Sequence, residues 1–364
     1  MGYNPTTRSG HNMFDMASLL QKAIRRGDAE RAGYAAYELF GSYDTMLWKR
    51  LLVVSSEDTW GVVTKEIYSL LNKHAVANSG YKGYAKDPTY VSEAVDLLCR
   101  CKKSRDACYY ACNFILSNNV GDGLQGSEET ARAIIEETMV DGEQANLFID
   151  ITGRDMVAST LVESIINFDM ENSGAALREL MYTDNPFIWR ALRYADNQIS
   201  GGLMQDEITA LEKTDSFVNK KKAPNERDPI FISKATMNLM YYGCGKYETV
   251  CSEDSIDYQQ LIDWSGKESI SIAECVLPDG IIPEYVYDVH TLKGKRKGAT
   301  DWGMNLVEND ALSPFQKAFF EEGSWQLRYD YKHEHGLCSE KEYQMSLEYR
   351  KTHESNPSYK LITG

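Results

Sequence analysis

Four cations within five residues, Lys293, Lys295, Arg296 and Lys297, form the densest cluster of charge chemistry in the chain. Gly294 and Gly298 are interleaved with them, and Asp288, His290 and Thr291 precede them. Clustered Lys and Arg side chains neutralise phosphates, so this stretch, with His290 at its edge, is a candidate nucleic-acid contact. Tyr285, Tyr287 and Trp302 lie close enough in sequence to stack on unpaired bases. The same composition also suits a basic surface loop that balances an acidic chain, or one that meets an acidic face of a second subunit. Asp288 with His290 has the makings of a hydrolytic pair, and His333 with His335 supplies two metal ligands, with no third ligand at a metal-binding spacing.

Eight cysteines stand at positions 99, 101, 108, 112, 244, 251, 275 and 338, four of them in the run CRCKKSRDACYYAC. That run is not a C-x2-C knuckle pair, and Cys108 and Cys112 are one helical turn apart. Buried small side chains at helix contacts account for them, so no metal or cofactor is expected. There is no G-x-S-x-G elbow, no H-E-x-x-H and no G-x-x-x-x-G-K-[ST] phosphate loop. The residue chemistry therefore favours a non-enzymatic role.

The elements that must carry these residues read as helices. Met16, Leu19, Leu20, Ala23 and Ile24 recur at one-face helical spacing, with Gln21, Lys22, Arg25 and Arg26 opposite and Gly27-Asp28 as the stop. A second helix spans about Ala29 to Phe40 and breaks at Gly41-Ser42. A third has Leu47, Trp48, Leu51, Leu52 and Val54 as its apolar set and ends on Ser56-Glu57-Asp58. Short helices with brief joints predict antiparallel helical hairpins, with Trp48, Leu51 and Leu52 as packing anchors and Glu57-Asp58 at a helix joint.

SLLQKAIRRGDAERAGYAAYEL followed by LWKRLLVVSSEDTWG resembles the helical C-terminal region of the RarA/MgsA family, relatives of Werner-helicase-interacting protein. The matching residues are Lys22, Ile24, Arg25, Gly27, Asp28, Ala32, Arg50, Leu51, Ser56, Glu57 and Asp58. EAVDLLCRCKKSRDACYYA resembles the family's next helix and its Lys-Ser joint, here Lys103-Ser104. Asp288-x-His290-Thr291 with its glycines, and the later Phe319 to Gly323, are similar to the tail of motorless relatives encoded by phages and bacteria. The resemblance implies a DNA replication or recombination context and self-association through the helical region, a role it gives to Trp48, Leu51, Leu52, Glu57 and Asp58. It does not carry over ATP hydrolysis, because the phosphate loop is missing.

In chain order the expectation is a flexible lead over 1–12, a helical region over 13–214, a linker or exposed loop over 215–229, and an α-rich region with the basic loop over 230–364. The fold class is mainly α, a multi-helix domain with a smaller, loop-rich C-terminal region. Asp87-Pro88 opens a helix, and residues 117–129 read as a loop. Glu38-Leu39, Leu47-Trp48 and Leu51 are echoed by Glu179-Leu180, Ile188-Trp189 and Leu192 at a constant offset of 141, the pattern a duplicated helical hairpin would leave.

A net charge of −15 argues against coating of nucleic acid by the whole surface and suits protein partners. No apolar run approaches the roughly 20 residues that cross a bilayer. MGYNPTTRSGHN lacks an apolar leader, which with the thiols points to a reducing cytoplasm. The expected function is a DNA replication or recombination accessory factor, a homo-oligomer with possible DNA and replication-protein partners. Its alternatives are an adaptor or inhibitor that captures a host replication or defence protein, and a metal-dependent nuclease using Asp288 and His290.

Overall fold

The computed structural model describes residues 5–101, 103–116, 126–138, 151–182, 187–243, 270–287 and 291–296, with single residues 333, 340, 343, 344 and 347 (the side chains of 109, 113, 138, 279 and 295 excepted). Among the described residues the chain is mainly α-helical and contains no β-strand. The helices are α1 (Met13–Arg25), α2 (Ala29–Leu39), α3 (Asp44–Glu57), α4 (Thr64–Ala77), α5 (Thr89–Arg100) and a short α6 (Asp106–Tyr110). A π-helical turn, Ala111–Ile115, extends α6. There follow α7 (Glu128–Thr138), α8 (Gly153–Ile166), α9 (Met170–Tyr182), α10 (Phe187–Ser200), α11 (Gln205–Val218), α12 (Ile230–Gly243) and a one-turn α13 (Leu292–Arg296). No helix among the described residues is long and apolar enough to cross a membrane.

The echo at offset 141 extends through a whole module. α8 to α12 repeat α1 to α5 in order and, to within two residues, in length, and α11 and the 3-10 turn Pro224–Glu226 sit 141 residues after α4 and Gly83–Ala85 at both ends. Residues 13–100 and 154–241 align without a gap and are identical at 22 of 88 positions, too many and too evenly spread for two unrelated hairpins. The local bonds repeat as well. Asp28 caps α2 by accepting from the Arg31 N–H at 3.0 Å, and Asp169 caps α9 by accepting from the Asn172 N–H at 3.0 Å.

Each loop before the fifth helix is closed by one asparagine. Asn78 donates to the Asp87 carbonyl at 3.1 Å and accepts the Asp87 N–H at 2.6 Å; Asn219 does the same with Asp228, at 3.2 Å in both directions. The turn after the first helix is left-handed in both copies. Gly27 adopts φ +66° there without penalty, and its counterpart Phe168 is held at φ +57°, a conformation costing a side-chain-bearing residue about 1–2 kcal/mol. The module imposes the turn even where the residue type resists it.

The described residues form two compact units. The first gathers those of Met1–Trp60, Glu66–Arg105 and Gln259–Gly364, and the second those of Gly61–Lys65 and Asp106–Tyr258. In the first, α1 packs on α2, and α1, α2 and α3 all meet α5. Met16, Leu20, Leu39, Leu51, Leu52 and Val95 are fully buried there. In the second, α8, α10 and α11 surround α12, nearly all of whose residues are buried.

These units redraw the expected boundaries. Where a flexible lead is expected, residues 5–12 turn back on themselves, with Thr7 and Ser9 hydroxyls donating to the Glu38 carboxylate at 2.5 and 2.8 Å and Asn12 capping α1. Of the two readings of 215–229, the exposed loop holds and the linker does not: the stretch finishes α11 and then forms the exposed, Asn219-closed loop into α12. α12 is buried along nearly its whole length, its polar residues included, and belongs to the second unit, so it does not start a separate region.

Candidate functional site

The residues of the Ser-Glu-Asp joint meet the first helix in a buried charged corner. Gln21 and Arg25 lie one turn apart on α1, facing the end of α3. Arg25 Nε donates to Asp58 Oδ1 at 2.7 Å, and its Nη2 lies 3.7 Å from Glu57 Oε1. Arg105 enters from the end of the α5 segment, 3.7 Å from Glu57 and 3.8 Å from Asp58. Gln21 Nε2 donates to Glu57 at 3.0 Å and to Asp58 at 2.9 Å, while its carbonyl accepts from Arg50 at 2.8 Å. Asp58 is fully buried, and Arg25 and Arg105 nearly so. Burying charge is costly unless it is paired, and the corner pairs its charges through six side chains from three segments.

The Lys-Ser joint supports the same corner. The Ser104 N–H donates to the Asp58 carbonyl at 3.3 Å, and Thr59 pairs with Lys103. The Lys103 ammonium, 1% exposed, donates to the carbonyls of Leu98, Cys99 and Cys101 and so closes the end of α5. Burial pushes the Cys99 thiol well up, which keeps it protonated and inert. Cys101 is buried beside it, whereas Cys112, expected at a helix contact, is exposed on the π-helical turn.

The second module is an internal control on this corner. The positions of Gln21, Arg25, Arg50, Glu57 and Asp58 are held there by Val162, Ile166, Ala191, Gln198 and Ile199. The same five helices form without the charges, so the fold alone does not require them.

The packing anchors lie inside the unit: Trp48 is 2% exposed and Leu51 and Leu52 are fully buried. They pack within one chain and present no surface to another. Trp48 lies 5.2 Å from the His74 ring, which Phe40 also covers. In the second module the counterparts Trp189, Asp215 and Met181 line a small cleft with Arg227 and Asp228.

That one position titrates with opposite sign in the two modules. Burial holds the His74 imidazolium pKa below its usual value, so its contribution to stability is present above about pH 6.5 and is lost as pH falls through the folded value. Burial raises the Asp215 pKa, so its contribution is present below about pH 4 and is lost as pH rises through the folded value. Between those limits acidification is expected to weaken the first unit through His74 and strengthen the second through Asp215. Melting temperatures across pH 4 to 8 check this: His74→Gln should flatten the acid-side loss, Asp215→Asn the gain. A pH profile unchanged by either variant would refute it.

The basic segment is fastened to the other side of α1. Ser18 Oγ donates to the Val286 carbonyl at 2.7 Å, and Lys22 Nζ donates to the carbonyls of Tyr285 and Val286 at 2.9 and 3.1 Å. The Arg26 guanidinium lies 3.9 Å over the Tyr285 ring. α13 then starts at Thr291, whose hydroxyl accepts the Gly294 N–H at 3.1 Å. Lys293 and Arg296 are exposed; the Lys293 ammonium lies 3.6 Å over the Tyr287 ring and 3.9 Å from Glu284. The tyrosines expected to stack on bases thus each carry a cation on one face.

Asp288, His290, Lys297, Gly298, Trp302 and Phe319 to Gly323 lie outside the described residues, as do His335, residues 117–125 and the side chain of Lys295. His333 bonds Glu340 at 2.9 Å and stacks on Tyr343. Among the described residues no group of three metal-binding side chains converges. Sequence reading named Glu57 and Asp58 but missed Gln21, Arg25 and Arg105 as their partners, although Arg25 and Asp58 both belong to the matched motif. No protein-family model matches the chain, and no match was found among curated proteins or solved structures.

Proposed function

We propose that this chain is a non-enzymatic accessory factor of DNA replication or recombination, self-associating through its helical modules and contacting DNA with the segment around Lys293, Lys295, Arg296 and Lys297. The observation that carries this reading is that Ser18 and Lys22 of α1 donate side-chain hydrogen bonds to the Tyr285 and Val286 carbonyls, while the exposed Lys293 rests on Tyr287 and Arg296 is exposed near it in sequence. Phosphate contact needs cations that are exposed and positioned. The likeness of the first module to the RarA/MgsA helical region supplies the replication context, and the charged corner unites its Arg25, Glu57 and Asp58.

The test is fluorescence anisotropy on single-stranded and forked DNA across a salt series, with the quadruple Ala variant of Lys293, Lys295, Arg296 and Lys297 alongside. Four phosphate contacts to a single strand predict a log–log salt slope of about −2.8. The variant should lose most of the binding and nearly all of the slope. Absence of wild-type binding at low salt would exclude DNA contact.

A second reading, an adaptor or inhibitor that captures a replication or defence protein, is favoured by the acidic surface and by the contacts of Lys293 with Glu284 and Tyr287. Metal-dependent nuclease chemistry at Asp288 and His290 is the remaining alternative. Loss of DNA cleavage in a His290→Ala variant would support it, and unchanged behaviour would remove it.

A further inference from the structure

The position shared by His74 and Asp215 is also where the two modules differ in how well they are filled. In the first module the His74 imidazole lies 5.2 Å from the Trp48 ring and 6.3 Å from the Phe40 ring. All three side chains are buried, so the module closes this socket with its own rings. In the second module the same positions are held by Asp215, Trp189 and Met181, and a cleft stands there. Its empty space is ≈ 370 Å³ measured out to the open mouth, which leaves room for one substituted ring.

The cleft follows from two replacements and not from a general loosening of the module. Its other walls keep their kind: Ile188 and Ile232 stand for Leu47 and Val91, and Arg227 and Asp228 for Lys86 and Asp87. Only the two ring-bearing positions around the tryptophan change, Phe40 to a flexible thioether and His74 to a short carboxyl. Interiors are close-packed, so a ring removed without a substitute leaves its volume empty. The second module therefore lacks a flat ring and gains an acid beside that space.

The acid is short of partners. Asn219 donates to Asp215 Oδ1 at 2.6 Å, and among the described residues Oδ2 accepts no hydrogen bond. Burial is the main reason that the Asp215 pKa is raised; the Asn219 bond and Arg227 offset part of the rise, and Asp228 and Glu212 add to it. The lining sets two carboxylates, Asp215 and Asp228, against one guanidinium, Arg227, beside an apolar wall that includes Trp189. A half-buried carboxylate is stabilised most by a cation that hydrogen-bonds to it, and a tryptophan wall suits the flat body of such a cation.

We propose that this cleft is a binding site for a small flat organic cation, an aryl or imidazolyl ring bearing charged N–H donors. The ring takes the space that Phe40 and His74 fill in the first module, and the donors bond the Asp215 carboxylate. The first module offers no equivalent site, because its own rings occupy the place. Duplication has thus left one socket that is self-filled and one that is open to a ligand. This inference goes beyond the proposed function; neither DNA contact nor self-association enters it, and the test reads the cleft alone.

The test titrates the isotope-labelled full chain with benzamidine, a flat ring that carries its amidinium charge at neutral pH, and in parallel with benzamide, its uncharged isostere. NMR follows the indole N–H signals of the six tryptophans, with Trp48 and Trp189 assigned from Trp48→Phe and Trp189→Phe variants. The expected result is a saturable shift of the Trp189 signal by benzamidine with a Kd on the order of a millimolar, while Trp48 stays in place. Benzamide should bind about tenfold more weakly or worse, because it lacks the charge-assisted bond to the carboxylate. Asp215→Asn should bring benzamidine down to the level of benzamide. The double variant Met181→Phe and Asp215→His rebuilds the first module's socket; it should melt cooperatively and no longer bind. No saturable shift at concentrations well above a millimolar overturns the proposal. Equal shifts of Trp48 and Trp189, equal binding of benzamide, or undiminished binding in the folded double variant does so too. Where either carboxyl variant does not fold, Met181→Phe alone fills the space and keeps the acid, and undiminished binding by it counts equally against the proposal.

Discussion

Asp58→Ala is expected to destabilise the first unit by about 3–5 kcal/mol, the cost of leaving a buried charge without its partner. Arg25 and Arg105 are 3% and 4% exposed and cannot turn to water without opening the end of α3. The measurement is urea unfolding, in which the midpoint should fall with little change in slope. The second module supplies the rescue. Ile166, which is exposed, and the half-buried Ile199 stand where the first has Arg25 and Asp58, so the pair Arg25→Ile and Asp58→Ile should recover only part of the lost stability, because the buried Arg105 still loses Asp58. Well-packed apolar residues often replace a buried ion pair at no net cost. A double variant as unstable as Asp58→Ala would mean that the corner is held by more than charge pairing. A stable double variant that no longer self-associates or binds DNA would mark the corner as functional rather than structural.

Leu51→Ala and Leu192→Ala form the second pair, and each is expected to cost about 2–5 kcal/mol through the cavity left behind. Both leucines are fully buried at the same place in their modules, so both losses should fall within that range. Because they lie in different units, they should lower different transitions if unfolding proceeds in two steps, and their effects should add in the double variant. Differential scanning calorimetry reads both quantities. A large cost at Leu51 with almost none at Leu192 would contradict equivalent packing in the two modules.

Helices α1 to α3 were legible because each carries its own stop: Gly27-Asp28, Gly41-Ser42 and the Ser-Glu-Asp joint. These signals act within a few residues, and the caps seen at Asn12 and Asp28 follow from them. The duplication stands in the sequence as 22 identities in 88 ungapped positions, but they are scattered, and only Trp48 and Trp189 with their neighbours form a local echo. The residues that prove it, Asn78 and Asn219 closing loops onto Asp87 and Asp228, look in sequence like ordinary loop polar residues. Lysines 220 to 222 and the prolines of 215–229 read as a linker because composition reports exposure and not connectivity. The same holds for residues 5–12, whose polar side chains bond Glu38 instead of water.

What the sequence by itself determined is therefore local: helical class, the main helix stops, the polar joint at Glu57-Asp58 and the position of the basic cluster. Short-range spacing and capping set these, and they do not depend on what packs against them. Tertiary structure decided which distant segments meet. It placed Arg105 and Gln21 on Asp58, enclosed α12 within the second unit, and laid the tail carrying Lys293 along α1. Those choices rest on burial and on carbonyl-to-donor matching between residues as far apart as Ser18 and Val286, which lie 268 positions apart in the chain. No periodicity in the chain records such a pairing, because each partner is locally compatible with many others and only the filled face selects one.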